Sequence, residues 1–520
     1  MMNVPEIVVE VYRFDPSRDS EPRFDTHRLE VDERATILDV LREIQRRDPS
    51  IAFTYSCRRG VCGTCAVRIN GVPLLACQTT VAQVLKFFGS RIRLEPLKSF
   101  RHVRDLVVDR SSPLRELLRV RPWLHRSEPY IPPERMEPAT AARVHELRRC
   151  IYCLACVDAC IVRELDPRRF GGPLTLRVLA EMSRHPADSL DRVGMAFSEG
   201  LYECLICDLC TAVCPQQIEL GSAFIELRAK AWSRGLVHPK VRDAIDGILD
   251  PESGNPMWLP REERGEWAKD IGAGCGDTLL FAGCMASYAD QESARALAHL
   301  MKVVGIEFRV IGSEEPCCGM PMYLAGDLSD AERRAREMLD LFKRLGIRRV
   351  VTPCPSCYRM MKSIYPRLGV DMEAHGIEIL HATQLLYDLW NRGALQIPRR
   401  SPIERATYHD PCDLGRHEGV FEEPRALIEA TGTELVEMRR SRIYAACCGA
   451  GGNLRIAEPR LSIAIGVERL RRDLPEGIKV VLHACPTCRV QFDDAAREAG
   501  IEVRNLSIQE LVLETIKGSK

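Results

Sequence analysis

The chain has 520 residues, enough for three or four domains at about 100–200 residues each. Hydrophobic residues make up 45% and charged residues 28%, which excludes global disorder, collagen and coiled coil. Lys+Arg and Asp+Glu both number 73, so the net charge is zero and no nucleic-acid partner is expected on electrostatic grounds. Arginine outnumbers lysine 62 to 11, a bias ascribed to genome composition rather than function. No run reaches the roughly 18 apolar residues of a membrane span, so none is expected. Met1-Met2-Asn3-Val4-Pro5-Glu6 lacks a basic segment followed by an apolar one, so no secretion signal is expected. A cytoplasmic or peripheral protein follows. Thiols there stay reduced, so 23 cysteines point to metal or redox chemistry rather than disulfides.

Residues 1–100 predict a small β-grasp ferredoxin domain. A strand is expected from Glu6 to Phe14, a second from Phe24 to Val31 and a helix from Thr36 to Arg46. Cys57, Cys62, Cys65 and Cys77 follow in the spacing C-x4-C-x2-C-x11-C. The C-x4-C-x2-C core is the plant-type [2Fe–2S] arrangement, and soft thiolates suit such a cluster. Gly60 and Gly63 let the backbone close around it with amides facing the sulfides. A zinc site would more often pair two short Cys-x2-4-Cys knuckles. Asn70-Gly71 marks a hairpin turn, and a further strand lies near Arg91 to Glu95.

Residues 101–250 predict a helical domain with two [4Fe–4S] clusters. Cys150, Cys153, Cys156 and Cys160 repeat the C-x2-C-x2-C-x3-C spacing of Cys204, Cys207, Cys210 and Cys214, with Pro215 after the last. In this run the fourth cysteine ligates the other cluster. One cubane is therefore expected on Cys150, Cys153, Cys156 and Cys214, the other on Cys204, Cys207, Cys210 and Cys160. Ile161 stands where a proline usually follows Cys160. Between the groups a helix is expected from Leu174 to Ser183.

After a linker at 251–276, the rest is an internal repeat, with lobes at 277–398 and 399–520. Cys284, Cys317, Cys318, Cys354 and Cys357 are spaced C-x32-CC-x35-C-x2-C. Cys412, Cys447, Cys448, Cys485 and Cys488 are spaced C-x34-CC-x36-C-x2-C. Cys317-Cys318-Gly319 recurs as Cys447-Cys448-Gly449, and β-branched runs (Val350-Val351-Thr352, Val480-Val481-Leu482) end near each closing cysteine pair. Helices are expected at Gln291–Val304, Asp330–Leu345, Glu423–Ala430 and Arg460–Arg472. Two pseudo-symmetric α/β lobes result, with thiols emerging at strand ends and converging near the lobe interface. Five thiols exceed the four corners of a cubane. Two readings stay open on spacing alone: an unusual cluster, or one zinc or cubane per lobe with a spare thiol.

The stretch to about residue 250 resembles the iron–sulfur subunit of succinate dehydrogenases and fumarate reductases, through Ser56-Cys57-Arg58-Arg59-Gly60-Val61-Cys62-Gly63-Thr64-Cys65, Leu75-Ala76-Cys77 and the two-cluster module. Cys207 departs from respiratory members, where a missing cysteine leaves [3Fe–4S] beside a quinone. From about 277 the chain resembles the twin-CCG B-subunit of heterodisulfide reductase, through all ten cysteines and Tyr408-His409-Asp410-Pro411-Cys412. That resemblance implies noncubane [4Fe–4S] clusters at the CCG cysteines, which would then be the catalytic residues. The fusion of both halves resembles the thiol:fumarate reductase B-subunit family. It implies oxidation of coenzyme M and coenzyme B thiols, electron relay to a flavoprotein partner carrying FAD, and reduction of fumarate there. A non-catalytic carrier to quinone or a membrane partner is the rival. Its mark would be a basic amphipathic helix, whereas Ile508 to Ile516 is apolar and acidic. No Gly-x-Gly-x-x-Gly fingerprint supports a flavin on this chain.

His409 and His483 lie near cluster cysteines, to take a thiol proton, to hydrogen-bond a sulfide or merely to satisfy a loop. Arg416 either attracts an anionic substrate group or is solvated or ion-paired. Gly449-Ala450-Gly451-Gly452 reads as close backbone approach rather than a phosphate cradle. Cys275 matches no motif and reads as a free thiol.

Overall fold

The computed structural model describes residues 5–129, 131–132, 135–272 and 274–518. Met1–Val4, the start of the segment in which no secretion signal is expected, Ala273 of the expected linker, and Ser519-Lys520 lie outside the described residues. The chain divides into two compact units, residues 1–201 with 208–227, and residues 202–207 with 228–520.

The first unit begins with a mixed five-stranded sheet of order β2-β1-β5-β3-β4. In β1 (Glu6–Arg13) alternate residues Ile7, Val9 and Val11 are buried, the period-two pattern of a half-buried strand. It pairs antiparallel with β2 (Arg23–Glu30) from Glu6 opposite Glu30 to Arg13 opposite Arg23. The hairpin of β3 (Ala66–Ile69) and β4 (Val72–Leu75) turns at Asn70 (φ +49°) and Gly71 (φ +85°). Both sit in the left-handed region that a type I′ turn requires. β5 (Arg91–Glu95) runs parallel to β1 and antiparallel to β3. The helix Ile37–Arg47 buries Ile37, Val40, Leu41 and Ile44, the i, i+3, i+4, i+7 face. Thr36 is its cap rather than its first residue: its hydroxyl accepts the Asp39 N–H, and Asp39 accepts the Thr36 N–H.

A short ribbon of β6 (Arg101–Arg104) and β7 (Val107–Asp109) leads into helices. The helix Gly172–Arg184 is buried over most of its length, and begins and ends a little outside the expected span. Asp158, within the helical turn Ala155–Ala159, is buried. It accepts Arg68 Nε of β3 at 2.7 Å and the Ser99 N–H at 2.9 Å, so one carboxylate ties the sheet to a cysteine-bearing loop.

The second unit contains two parallel four-stranded sheets. The first has β8 (Thr278–Leu280), β9 (Phe308–Arg309), β10 (Arg349–Thr352) and β11 (Glu378–His381) in the order β11-β10-β8-β9. The other has β12 (Arg405–His409), β13 (Glu434–Leu435), β14 (Val480–His483) and β15 (Arg504–Ser507) in the order β13-β12-β14-β15. Read from opposite edges, the orders are second-first-third-fourth in both lobes, so the cysteine repeat is also a repeat of topology. Parallel neighbours need crossovers. Helices Gln291–Val303 and Leu328–Arg344 supply them in the first lobe, Glu422–Ala430 and Pro459–Asp473 in the second. Val350, Val351, Val481 and Leu482 are fully buried, as strands covered on both faces demand. The C-terminal helix Ile508–Lys517 puts Ile508, Leu511 and Val512 into the core. Among the described residues no helix is long and apolar enough to cross a membrane.

Candidate iron–sulfur centres

The loop that carries the first four cysteines is shaped by its own amides. The N–H groups of Arg59, Val61 and Cys62 donate to Cys57 Sγ at 3.4, 3.3 and 3.3 Å, and the Cys57 N–H donates to Cys62 Sγ at 3.5 Å. Convergent amides around sulfur are the donor set that a metal-bound thiolate needs. Gly60 and Gly63 both have φ +70°, and a Cβ on Gly63 would stand 2.8 Å from Cys153 Cα. Burial opposes ionisation of Cys62, but hydrogen bonds from Thr64 and Cys57 prevail and hold its thiol down to about 6. Burial, with Cys77 and Cys62 nearby, pushes Cys65 up to about 12. The structure thus brings Cys57, Cys62, Cys65 and Cys77 together.

The next two cysteine loops share an unusual backbone. Tyr152 and Leu154 have φ +52° and +66°, and Ile206 and Asp208 have φ +48° and +55°. These are the second and fourth places after Cys150 and Cys204, so both loops take the same strained path around their thiols. Burial raises the Cys150, Cys153 and Cys156 thiols, Cys153 to about 11, and the Cys214 thiol acts on all three. The structure brings these four together. Of the other expected set, Cys160 and Cys210 lie in the first unit and Cys204 and Cys207 in the second.

Each lobe of the second unit strings its five thiols into a chain of contacts. In the first, hydrogen bonds link Cys284 to Cys317, Cys317 to Cys318, Cys318 to Cys357 and Cys357 to Cys354. In the second the same path runs Cys412, Cys447, Cys448, Cys488, Cys485, with Cys488 Sγ 3.4 Å from Cys448 Sγ. No thiol of either group is set apart from its neighbours. Cys485 of the second set also feels the Cys354 thiol of the first. Asp413 bridges the lobes, accepting Ser356 Oγ at 2.6 Å and Arg359 Nη1 at 2.7 Å. A cavity of about 450 Å³ opens there, lined by all five first-lobe thiols, by Cys412, and by apolar groups including Met257, Met285, Met320, Leu324 and Val490.

The surroundings of the two sets differ. Beside Cys284 lies Arg264, fully buried, with Nη1 3.6 Å from the sulfur. Glu315 accepts Arg264 Nη2 at 2.9 Å and the N–H groups of Ala282 and Gly283 at 3.0 and 2.9 Å. Burial works against the Arg264 charge, but Cys284 and Glu315 hold its pKa above the usual value. In the second lobe, His409 lies with Cys448 and Cys488, their ligating atoms all within 4.8 Å of one another. Burial lowers the His409 pKa. His483 donates Nε2–H to Asn505 Oδ1 at 2.9 Å, and burial pushes it down to about 3. Three residues before Cys284 the first lobe has Phe281 in place of His409, and two before Cys354 it has Thr352 in place of His483.

Arg416 departs from both expectations for it. It donates to backbone carbonyls, Cys207 O at 2.6 Å, Ile443 O at 2.9 Å and Ala445 O, which makes it a clamp on the Cys207 segment. Arg228, which no motif singled out, does the same, donating to Cys204 O at 2.7 Å, Leu324 O at 2.6 Å and Gly452 O at 2.9 Å. The Cys207 and Cys447 thiols are hydrogen-bonded, so the Cys204–Cys207 segment adjoins the second-lobe set. The glycine run makes that approach possible. A Cβ on Gly451 would lie 2.6 Å from Leu205 O, and one on Gly452 2.3 Å from Cys204 O. Cys275 is exposed. Arg264, Glu315 and Arg228 had no sequence signal, because their partners lie 20 or more residues away along the chain.

The thiol sets fit iron–sulfur groups, and family models agree. Residues 8–115 match the 2Fe–2S iron–sulfur cluster binding domain, 146–218 the 4Fe–4S dicluster domain, and 278–362 and 406–493 the cysteine-rich CCG domain. The B-subunit of fumarate reductase (CoM/CoB) from Methanothermobacter marburgensis is 30% identical over 97% of this chain and 98% of its own. The D-subunit of dihydromethanophenazine:CoB–CoM heterodisulfide reductase from Methanosarcina barkeri is 29% identical over 72% of this chain and 96% of its own. A hypothetical protein from Helicobacter pylori shares the fold, with a TM-score of 0.64 at 13% identity over 99% of this chain and 96% of its own. With three matched cluster domains and a 30% identical relative aligned along nearly its whole length, the chain belongs to the fumarate reductase (CoM/CoB) B-subunit family, as an iron–sulfur oxidoreductase subunit.

Proposed function

We infer that the chain is the iron–sulfur subunit of a fumarate reductase-type complex. Coenzyme M and coenzyme B thiols would be oxidised to their heterodisulfide between the CCG lobes. Two thiols lose two protons and two electrons, and one S–S bond forms. The electrons would leave by the two [4Fe–4S] and one [2Fe–2S] clusters for FAD on a flavoprotein partner, where fumarate is reduced to succinate. Cys284, Cys317, Cys318, Cys354 and Cys357 would hold one noncubane cluster, and Cys412, Cys447, Cys448, Cys485 and Cys488 the other. When bound, such clusters supply soft iron for sulfur and a store for electrons.

The observation that carries this reading is the pair of matching five-thiol chains, with a cavity lined by all five first-lobe thiols and by Cys412 of the second. Five contiguous thiols favour the unusual cluster over a cubane with one to spare. The protein's own groups would hold the reacting sulfurs beside the first-lobe thiols and Cys412: Asp413 with Ser356 and Arg359 links the lobes, and the lining is mostly apolar. Contact between Cys207 and Cys447 supports the second lobe as the exit toward the cubanes.

The test is an EPR titration of the anaerobic complex with coenzyme M and coenzyme B thiols, alongside fumarate turnover. A new signal from a CCG cluster, with succinate formed, is expected. A second reading rests on the cavity's apolar lining and on its arginines being engaged, Arg359 by Asp413 and Arg455 by Asp494. These favour an uncharged acceptor such as quinone, with the chain as a non-catalytic electron carrier. Spectra unmoved by thiols, together with quinone reduction, would select it.

A further inference from the structure

One arginine of the first unit is drawn inside without a carboxylate. Arg110, just after β7, is partly buried and donates Nη1–H to Gly63 O at 2.7 Å and Nη2–H to Thr64 O at 2.9 Å and Ala66 O at 3.4 Å. These carbonyls flank Cys65. The charge-bearing groups that act on it are the thiols of Cys153, Cys65 and Cys62. Other buried arginines of this unit have acids: Arg13 has Asp25, Asp48 and Asp105, Arg177 has Glu181, and Arg192 has Asp188. Among the described residues no carboxylate pairs with Arg110. Arg110 is partly buried and held by carbonyls alone, so the groups placed to supply a counter-charge are those that the neighbouring thiols hold.

Those thiols belong to two different expected centres, Cys62 and Cys65 to the [2Fe–2S] set and Cys153 to the first cubane. The loops touch there, as the 2.8 Å between a Gly63 Cβ and Cys153 Cα requires. We propose that Arg110 is a positioning residue shared by the [2Fe–2S] and adjacent [4Fe–4S] centres, its single charge raising both reduction potentials and its three hydrogen bonds fixing the loop between them. Each reduction adds negative charge beside the guanidinium, so the cation favours the reduced form of both centres. Cluster charge and hydrogen bonding are recognised controls of potential. The inference rests on the proposed function, with Cys57, Cys62, Cys65 and Cys77 holding the [2Fe–2S] cluster and Cys150, Cys153, Cys156 and Cys214 the adjacent [4Fe–4S] cluster.

The experiment is an EPR-monitored redox titration of the full-length holoprotein and its Arg110→Met and Arg110→Lys variants. Cys153→Ser identifies the cubane signal by its loss or change. In Arg110→Met both midpoints should fall by about 59 mV or more, a tenfold or larger shift in a one-electron equilibrium. The CCG signals should stay in place, and Arg110→Lys should recover most of the fall because it keeps the charge. Wild-type potentials in Arg110→Met, or a shift in only one centre, would overturn the proposal. So would a lysine variant as impaired as the methionine one, including equal loss of iron, since that outcome marks a purely architectural fork. A wild-type protein lacking either signal would remove the ligand assignment, and this proposal with it.

Discussion

At the scale of single residues, charge placement separates the two CCG lobes more than their cysteines do. The thiols follow the same path in both, yet the first lobe sets Arg264 and Glu315 beside Cys284 and the second sets His409 beside Cys448. Glu315 is 3% exposed and Arg264 1%, so neither charge can find water if the other is removed. Arg264→Met should therefore destabilise the second unit by about 3–5 kcal/mol, the usual consequence of leaving one buried charge alone. Denaturant unfolding checks this, and a loss under about 1 kcal/mol would show that Glu315 is neutralised by other means. Neither residue was legible in the sequence. Glu315 sits two positions before Cys317, but its partner lies in the expected linker, and only folding places them together.

At the scale of elements, strand ends aim the chemistry and also carry a pH dependence. β11 ends in His381, fully buried, whose Nδ1 accepts the Thr383 N–H at 3.2 Å and whose Nε2–H donates to Pro353 O at 3.2 Å. The neutral ring satisfies both bonds, and burial pushes its pKa down to about 4 from 6.5. The folded state then binds fewer protons than the unfolded one between those values. Stability should fall as pH drops from about 6.5 toward 4, by up to about 1.4 kcal/mol per pH unit for this group. His381→Gln should flatten that part of the profile. Unfolding midpoints at pH 7 and pH 5.5 compare the two proteins, and an unchanged slope in the variant would assign the effect elsewhere. The elements were largely readable. The period-two burial of β1, the Asn70-Gly71 turn and the long lobe helices follow from local pattern, whereas ends shift by a residue or two: Thr36 caps its helix rather than beginning it, and the helix Gly172–Arg184 starts two residues early.

At the scale of the whole molecule, each unit is held by a few buried polar ties between distant segments. In the first, Asp158 joins β3 and Ser99 to the loop of Cys150, Cys153 and Cys156, with a fully buried carboxylate. Asp158→Ala should cost about 3 kcal/mol, the low end for a broken buried pair because Arg68 is partly exposed. Far-UV circular dichroism during denaturation measures it, and visible absorbance should show the [2Fe–2S] signal weakening in parallel. Full stability in the variant would mean that the sheet and the helices are joined elsewhere. In the second unit, Asp413 joins the two lobes through Ser356 and Arg359, while Arg228 and Arg416 pin the Cys204–Cys207 segment by its carbonyls. The sequence by itself determined the cysteine groups, the repeat of two lobes and the family resemblance. Ligand spacing and strand periodicity are local properties, set within a few residues by thiolate chemistry and backbone geometry. Only the tertiary structure decided which thiols touch, that Cys207 meets Cys447, that Arg416 serves carbonyls and that Arg110 faces two cysteine loops. Those outcomes depend on contacts between residues far apart in the chain, where an arginine among 62 carries no mark of the partner that folding will bring to it.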